Sequence, residues 1–426
     1  MDERTVDDTL LNRLYTLRRR GIKVGLHRTE ALLAKCGNPH RDVPVIHIAG
    51  TNGKGSTAAM IASILKSSGR KVGLYTSPHL VRYNERIRID GTPVTDETVV
   101  KFLNSFATDI DTLGSTFFET TTALAFSYFA HSEVDVAVIE VGLGGQLDSS
   151  NVAHSVLTVL MPIHYDHMEY LGHDLSAIAR EKCGIFKTNV PAVTSSQLAE
   201  VTEVIESSAT DTGVQLHKAP DICPLESCYT ERKGSRFLYN GTDLVIPLIG
   251  QHQITNAQTA IAASLIFDRA IEMAAIAAGL REVHWPARLQ QMSTRPLIFY
   301  DVAHNPHGLD AVFKTLQQLF PSKKIGAVYA LKKSKHLDEI VRLLKEYCHT
   351  VIATVPDHDE FFDLDVLTRK LNGSAVAAAA APKPQAAFSL MKEDANGPEL
   401  WLIFGTHYIA KDVFDYFRFP FDNGQI

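Results

Sequence analysis

The segment that most restricts the fold runs from Val43 to Ser68. Residues Val43 to Ala49 form a short apolar run rich in valine and isoleucine, ending at Gly50. The turn Gly50-Thr51-Asn52-Gly53-Lys54-Gly55-Ser56 follows, and a helix pattern continues from Thr57 to Ser68 until Gly69 closes it. A helix N-terminus offers unpaired N–H groups and a partial positive charge to an anion. Glycines let the backbone approach phosphate oxygens without a side-chain clash, and Lys54 adds a point charge. The spacing departs from the general GxxxxGK[ST] pattern, because a glycine separates Lys54 from Ser56. A plain glycine turn is the simpler alternative. Three glycines with lysine and serine between strand and helix favour a triphosphate cradle.

The rest of the chain repeats this grammar. Lys71 to Thr76, Val134 to Val141 and Val156 to Ile163 are near-continuous apolar runs, and Glu119 to Ala130 carries apolar residues at helical spacing. Strands buried on both faces, alternating with helices, imply a mainly parallel α/β sheet. A second series begins near Pro296, with strands Leu297 to Val302, Ile325 to Leu331, Thr350 to Thr354 and Leu400 to Phe404. Helices are expected between them at Gly308 to Leu319, Leu337 to Glu346 and Leu364 to Leu371, giving a smaller doubly wound unit. The polar segment Gln290 to Arg295 marks the boundary, so the units are 1–292 and 293–426. The alanine-rich stretch Ala375 to Ala387 reads as a short helix or a surface loop.

Composition narrows the functional classes. At 426 residues, with 45% apolar and 21% charged, the chain suits two or three ordinary domains. No apolar stretch approaches the ~20 residues that span a bilayer, and the acidic start Met1 to Asp8 is no secretory signal. A cytoplasmic protein is expected. Cys36, Cys183 and Cys348 read as buried thiols, and Cys223 and Cys228 lack the partners a zinc site needs. A net charge of −6 argues against nucleic acid. The basic clusters Arg18-Arg19-Arg20 and Lys332-Lys333-Ser334-Lys335 read as solvated faces.

Ligands of open parallel sheets sit beyond the carboxyl ends of the strands. Three strands end there in suitable groups: Ser77-Pro78-His79, Glu140 before Gly142-Leu143-Gly144-Gly145, and His164-Tyr165-Asp166-His167. Glu140 is the hard oxygen donor that Mg²⁺ prefers, and His167 is a less usual ligand for it. Lys182 falls on an amphipathic helix, where a lysine by default faces solvent.

These motifs resemble the Mur-ligase superfamily and, within it, the folylpolyglutamate synthase/dihydrofolate synthase family. The resemblance is carried by Ile48 to Ser56, Tyr75 to Val81, Asn84-Glu85-Arg86-Ile87, Phe117-Phe118-Glu119 and Glu140 to Gly145. It continues through Asp166-His167 with Leu171-Gly172, Glu181 to Phe186, His252-Gln253 with Asn256-Ala257, Trp285 to Arg288, and Asp301 to Pro306. It implies an N-terminal P-loop ATPase domain of Mur-ligase type and a C-terminal Rossmann-like glutamate-ligase domain. Thr51, Asn52, Gly53, Lys54, Gly55 and Ser56 would hold the ATP phosphates. Asn256, Arg288 and Asp301 would also contact ATP, the last two closing over it. Ser77, Glu140 and His167 would bind Mg²⁺, and Lys182, as a carbamate, would order a second ion. His304 would lie at the incoming amino acid, while Thr116, Phe117, Phe118, Glu119, Leu147, Asp148 and Ser149 would contact the pterin-bearing substrate. Lys54, Lys182, Asp301 and His304 are thus the expected catalytic groups.

The implied reaction is phosphoryl transfer from ATP to a carboxylate, then attack of the glutamate amine on the acyl phosphate, with dihydropteroate or a folate as acceptor. A monomer is expected, without nucleic-acid or membrane partners; a potassium requirement stays open. Three features depart from the family pattern. Gln146 replaces the usual arginine, Leu331 to Lys335 replaces Leu-Lys-Asp-Lys-Asp, and Gly405-Thr406-His407 matches only loosely. The alternatives are a polyglutamate-only enzyme, a peptidoglycan-type ligase with a UDP-linked acceptor, and an ATP-binding switch protein. The peptidoglycan reading is disfavoured by the short lead-in before Val43.

Overall fold

The computed structural model describes residues 14–21, 23–371, 376–393 and 397–421. The acidic start Met1 to Asp8 lies outside them. The first sheet contains β1 (Val45–Ala49), β2 (Val72–Tyr75), β3 (Ile87–Ile89), β4 (Thr92–Pro93), β5 (Val136–Glu140), β6 (Ser155–Leu160), β7 (Ala192–Thr194) and β8 (Leu216–Lys218). Their order is β4-β3-β2-β5-β1-β6-β7-β8. From β2 to β8 every neighbouring pair is parallel, while β3 and β4 turn back antiparallel. Both β1 and β5 are buried along their whole length, as their near-continuous apolar runs require.

Parallel pairing has a direct consequence: β2, β5, β1 and β6 end at one edge of the sheet. The helix Lys54–Ser67 leaves the tip of β1 and is itself almost entirely buried. It packs between the sheet and the helix Met273–Glu282, with the helix Gln251–Phe267 alongside. The approach to Met273–Glu282 is close enough that a methyl group on Gly279 would meet the Ile64 backbone at 2.6 Å. Ser63 Oγ caps the contact by donating to the Gly279 carbonyl at 2.7 Å.

The second unit is a six-stranded sheet of β12 (Gln290–Thr294), β13 (Leu297–Tyr300), β14 (Ile325–Tyr329), β15 (Cys348–Thr354), β16 (Ala377–Ala381) and β17 (Leu400–Phe404). Its order is β12-β13-β17-β14-β15-β16, parallel except at β12. Helices Pro306–Leu319, Leu337–Tyr347 and Leu364–Arg369 fall where their periodicity places them. The alanine-rich stretch is neither a helix alone nor a loop. It supplies edge strand β16 and then the helix Pro384–Glu393. Alanine's helix preference is weak enough for the open edge of β15 to override it.

An antiparallel meander of β9 (Glu226–Glu231), β10 (Gly234–Tyr239) and β11 (Thr242–Ile246) precedes the helix Gln251–Phe267. The sequence reading omitted it, although Asn240-Gly241 is a strong hairpin signal. Both residues have positive φ in the structure.

Gly279→Ala is expected to cost about 1–3 kcal/mol, the usual range for overpacking a close contact. Urea unfolding measures it; a variant as stable as the parent would mean that the Met273–Glu282 helix is free to slide away from Ile64.

Candidate active site

The four strand tips assemble a cluster of charge around the loop Gly50 to Ser56. The loop is pinned from below: the Thr51 and Asn52 amides donate to the Pro162 carbonyl at 2.9 and 3.3 Å. Thr51 Oγ1 donates to the His164 carbonyl and accepts from the His164 amide, both at 3.0 Å. Thr51 and Asn52 therefore hold the loop to the end of β6, and the amides from Gly53 to Ser56 open the first turn of the helix. Gly53 has φ of 84°, and a methyl group there would come within 2.4 Å of Asn256 Oδ1. Asn256 is oriented by its own bond to Gln253 Oε1, at 3.0 Å.

Two lysines serve the loop. Lys54 Nζ donates to the Thr51 carbonyl at 3.3 Å and lies 4.0 Å from Glu140 Oε1. Glu140 ends β5, paired in register with Ile48, and its Oε2 accepts from the Ser77 amide at 2.9 Å. Burial pushes the Glu140 carboxyl up, against Lys54, the Ser77 amide and Arg288. Lys182 is not solvent-facing: it is buried, and its Nζ donates to the Gly50 carbonyl at 3.0 Å. Burial first, then the Lys54 charge, push its ammonium down to about 7. The segment before it is fastened to the same helix, because the Gln146 amide donates to the Glu181 carbonyl at 3.0 Å.

The second unit meets this cluster at Asp166. Its carboxylate is buried beside Lys335 Nζ at 2.5 Å, His304 Nε2 at 3.4 Å and His167 Nε2 at 3.9 Å. Burial alone would raise this carboxyl, but His304, His167 and Lys335 outweigh it and hold it well below the usual range. His167 adopts φ of 52°, and burial pushes its imidazole down to about 3. Asn52 and Asn305 exchange amide bonds at 2.8 and 3.3 Å, and the His164 and His307 rings stack at 3.5 Å. Asp301 is buried, with both oxygens taken by the Leu289 and Ala303 amides at 2.8 and 2.7 Å. Burial raises its carboxyl against the Arg288 charge. Arg288 borders a cavity with Thr76, Pro78, Leu80, Arg88 and Trp285.

The acceptor-side positions divide into scaffold and surface. Thr116 and Glu119 close a capping box on the helix Phe117–His131, and buried Glu119 pairs with Arg28 at 2.8 Å. Asp148 is buried and accepts from the Leu143 and Ser150 amides, Ser149 is buried beside it, and Leu147 is exposed. Phe117 stacks on Tyr15, while Arg18 and Arg86 both lie over its ring at about 5 Å. Arg86 is buried and donates to His79 Nδ1 at 2.8 Å.

The basic clusters are mostly exposed, as solvated faces are: Arg18, Arg19, Lys333 and Ser334 lie at the surface, although Arg18 also packs on aromatic rings and Arg20 donates to the Ile110 and Ser115 carbonyls. Lys335 departs from that expectation, with its side chain 7% exposed in an ion pair. From sequence, His164 and Asp166 are expected only among the strand-end groups suited to Mg²⁺, and Asn305, Lys335 and His307 have no expected role. Their adjacency to His167 and His304 was the available signal for all but Lys335, whose partner lies 169 residues away.

Among the described residues no three His, Cys, Asp or Glu side chains gather as a metal cluster. The donors still fit Mg²⁺, which takes one or two carboxylates and completes its shell with water and substrate phosphate. Glu140 Oε1 lies beyond hydrogen-bond distance of Lys54, and the His167 ring is neutral.

Comparison with known proteins agrees with this geometry. Residues 48–264 match the Mur ligase middle domain, and residues 287–407 match the Mur ligase glutamate ligase domain. Dihydrofolate synthase/folylpolyglutamate synthase of Bacillus subtilis is 32% identical over 413 residues, 92% of this chain and 95% of that one. Folylpolyglutamate synthase of Lacticaseibacillus casei is 39% identical over 353 residues, 78% and 82% of the two chains. The structure of Mycobacterium tuberculosis folylpolyglutamate synthase complexed with ADP superposes with a TM-score of 0.91 at 29% identity, covering 96% and 98%. E. coli FolC in complex with DHPP and ADP gives 0.84 at 28% identity, covering 95% and 97%. Fold and loop together define a Mur-type ligase that consumes ATP. Within that class, the chain belongs to the folylpolyglutamate synthase/dihydrofolate synthase family, whose members are ATP-dependent acid–amino-acid ligases. Among the described residues no helix is long and apolar enough to cross a membrane.

Gly53→Ala is expected to weaken ATP binding about tenfold or more. The added methyl strikes Asn256, and the left-handed backbone disfavours a side chain. Titration with a non-hydrolysable ATP analogue measures the loss; unchanged affinity would remove the loop's glycine from the phosphate contact.

Proposed function

We propose that this enzyme joins L-glutamate to dihydropteroate and to reduced folates, acting as both dihydrofolate synthase and folylpolyglutamate synthase. The single observation that carries the reading is the junction itself. Lys54 lies 4.0 Å from Glu140, Lys182 reaches the loop at the Gly50 carbonyl, and His304 of the other unit lies 3.4 Å from Asp166 after β6, which supports a site where a carboxylate, a triphosphate and an amine meet. A carboxylate oxygen of the acceptor attacks the γ-phosphorus, the bond to ADP breaks, and an acyl phosphate forms. The glutamate amine, having lost a proton, attacks the acyl carbon; the C–N bond forms and inorganic phosphate leaves. Positioning and charge neutralisation dominate such chemistry, which suits a site of fixed cations without a covalent nucleophile.

Lys54 and the amides from Gly53 to Ser56 bear the phosphate charge, with Asn256, Arg288 and Asp301 around the nucleotide. Of the two groups able to take the amine proton, His304 is better placed than Asp301. Both Asp301 oxygens are held by amides, whereas His304 donates from Nδ1 to the Val302 carbonyl and has Nε2 3.4 Å from Asp166, whose carboxylate would stabilise the imidazolium formed when the proton is taken. Ser77, Glu140 and His167 would hold one Mg²⁺, which when bound neutralises triphosphate charge. Lys182, with a substantial neutral fraction near pH 7, is chemically suited to capture carbon dioxide as a carbamate and so serve a second ion. Phe117 and Phe118 with exposed Leu147 would receive the pterin-bearing part. Potassium has no assigned residues. The described cysteines are all free, which suits a cytoplasmic setting.

A polyglutamate-only enzyme is the second reading, favoured by the higher identity to the Lacticaseibacillus casei enzyme. Purified protein assayed separately with dihydropteroate and tetrahydrofolate separates the two. Turnover of both is expected, and none with dihydropteroate would leave only the second.

Lys54→Ala and Glu140→Ala should each lower kcat by about 10²–10³, the cost of removing a preorganised electrostatic contact, with thermal unfolding near that of the parent. Activity within threefold of the parent in either variant would overturn its assignment. Lys182→Ala should lose activity and recover part of it with added acetate or formate. In the parent, the neutral amine that captures carbon dioxide grows as pH rises through about 7. Buffer depleted of carbon dioxide should therefore reduce activity. Neither rescue nor depletion having an effect would exclude the carbamate.

A further inference from the structure

The seam between the two units is polar and, among the described residues, contains one short buried ion pair. Lys335 Nζ, in the segment after β14, lies 2.5 Å from Asp166 Oδ1, in the segment after β6, and each side chain is 7% exposed. The other contacts across this part of the seam are neutral or conditional. They include the Asn52–Asn305 exchange, the Asn52–His307 contact at 3.4 Å, the His164–His307 stack and His304, which is charged only when protonated. Asp166 also accepts weakly from Asn305 Nδ2, at 3.4 Å. Asp166 thus takes contacts from three residues of the second unit, and only Lys335 is a permanent cation among them. A buried carboxylate deprived of its cation is strongly unfavourable, so separating the units exposes both charges to water and joining them requires the pair.

From this geometry we propose that Lys335 is a positioning residue: its ion pair with Asp166 latches the second unit over the phosphate loop and keeps the acyl phosphate from water. Lys335 touches neither the loop nor its lysines. It acts through Asp166, which sits beside His304 and His167, so the latch also sets how closely His304 approaches the strand tips. Water excluded by closure is water that cannot compete with the glutamate amine. Attack by water would return the free carboxylate and phosphate, consuming ATP without forming an amide. The inference rests on the acyl-phosphate reading above and adds to it the device that protects the intermediate.

The basic run that contains Lys335 does not behave as one patch. Lys332 is drawn away to Glu360 and lies over the Tyr408 ring at 4.4 Å, and Lys333 donates to the Asp359 carbonyl at 3.2 Å. Both contacts stay within the second unit and shape the loop that presents Lys335. Only Lys335 crosses to the first unit. Its neighbours therefore serve as controls that alter the same loop without breaking the pair.

The test measures phosphate released per glutamate incorporated, together with KM for ATP, in the parent and in Lys335→Met, Lys335→Gln, Lys335→Arg and Lys333→Ala. The parent and Lys333→Ala should release one phosphate per amide bond. Lys335→Met should release at least threefold more, with KM for ATP changed less than twofold, because the first unit's loop and its lysines still hold the phosphates. Lys335→Arg, which keeps the charge, should stay within 1.5-fold of the parent ratio. If Lys335→Met fails to fold, Lys335→Gln carries the comparison, since its amide still donates to Asp166 but without charge; at least twofold excess phosphate is then expected. A ratio of one in every Lys335 variant overturns the latch, as does an equal excess in the Met, Gln and Arg variants. A parent enzyme that forms no glutamyl product overturns the functional reading instead.

Discussion

Everything at this site depends on a chain of hydrogen bonds that makes a glycine-rich turn rigid. Glycines allow the backbone to approach an anion, but by themselves they leave the turn loose. Here the tip of β6 holds the Thr51 and Asn52 amides, His164 holds the Thr51 side chain, and Lys182 reaches in from another helix to the Gly50 carbonyl. The turn is therefore set before any phosphate arrives. Preorganised donors lose little on reaction because they need not reorient.

Charge is managed by the same economy of placement. Lys54, Lys182, Glu140 and Asp166 are drawn into one region from four strand tips or the helices beside them, and three of these four are buried. Each influences the others. Lys54 opposes the rise in the Glu140 carboxyl caused by burial, and it adds to the burial that lowers Lys182. Asp166 is held ionised by His304, His167 and Lys335, despite burial. The coupling spans the seam: one unit supplies the Asp166 carboxylate and the other supplies the Lys335 cation beside it.

The neighbouring acceptor region divides its labour differently. Thr116 and Glu119 fix a helix start, Asp148 fixes a loop, Phe117 is packed between Tyr15 and two arginines, and Leu147 is exposed. Gln146 stands where relatives of this type usually carry arginine, but its backbone still ties the loop to the Lys182 helix. That backbone bond does not depend on the side chain, so this anchoring of the loop is the same for glutamine as for arginine at 146.

Local pattern determined the parallel architecture, because near-continuous apolar runs such as those of Val45–Ala49 and Val136–Glu140 are stable only when both faces are covered. It also determined the phosphate loop, whose chemistry lies in seven consecutive residues, and the strand-end placement of Ser77, Glu140 and His167. The Asn240-Gly241 hairpin was legible as well and went unread. Tertiary structure alone decided the rest. Burial of Lys182 on a helix that looks merely amphipathic depends on what packs over it. The edge role of Ala377–Ala381 depends on β15 offering free backbone groups. The pairing of Lys335 with Asp166 joins residues from different units, and a short-range pattern has no means of encoding which distant charge a lysine will meet.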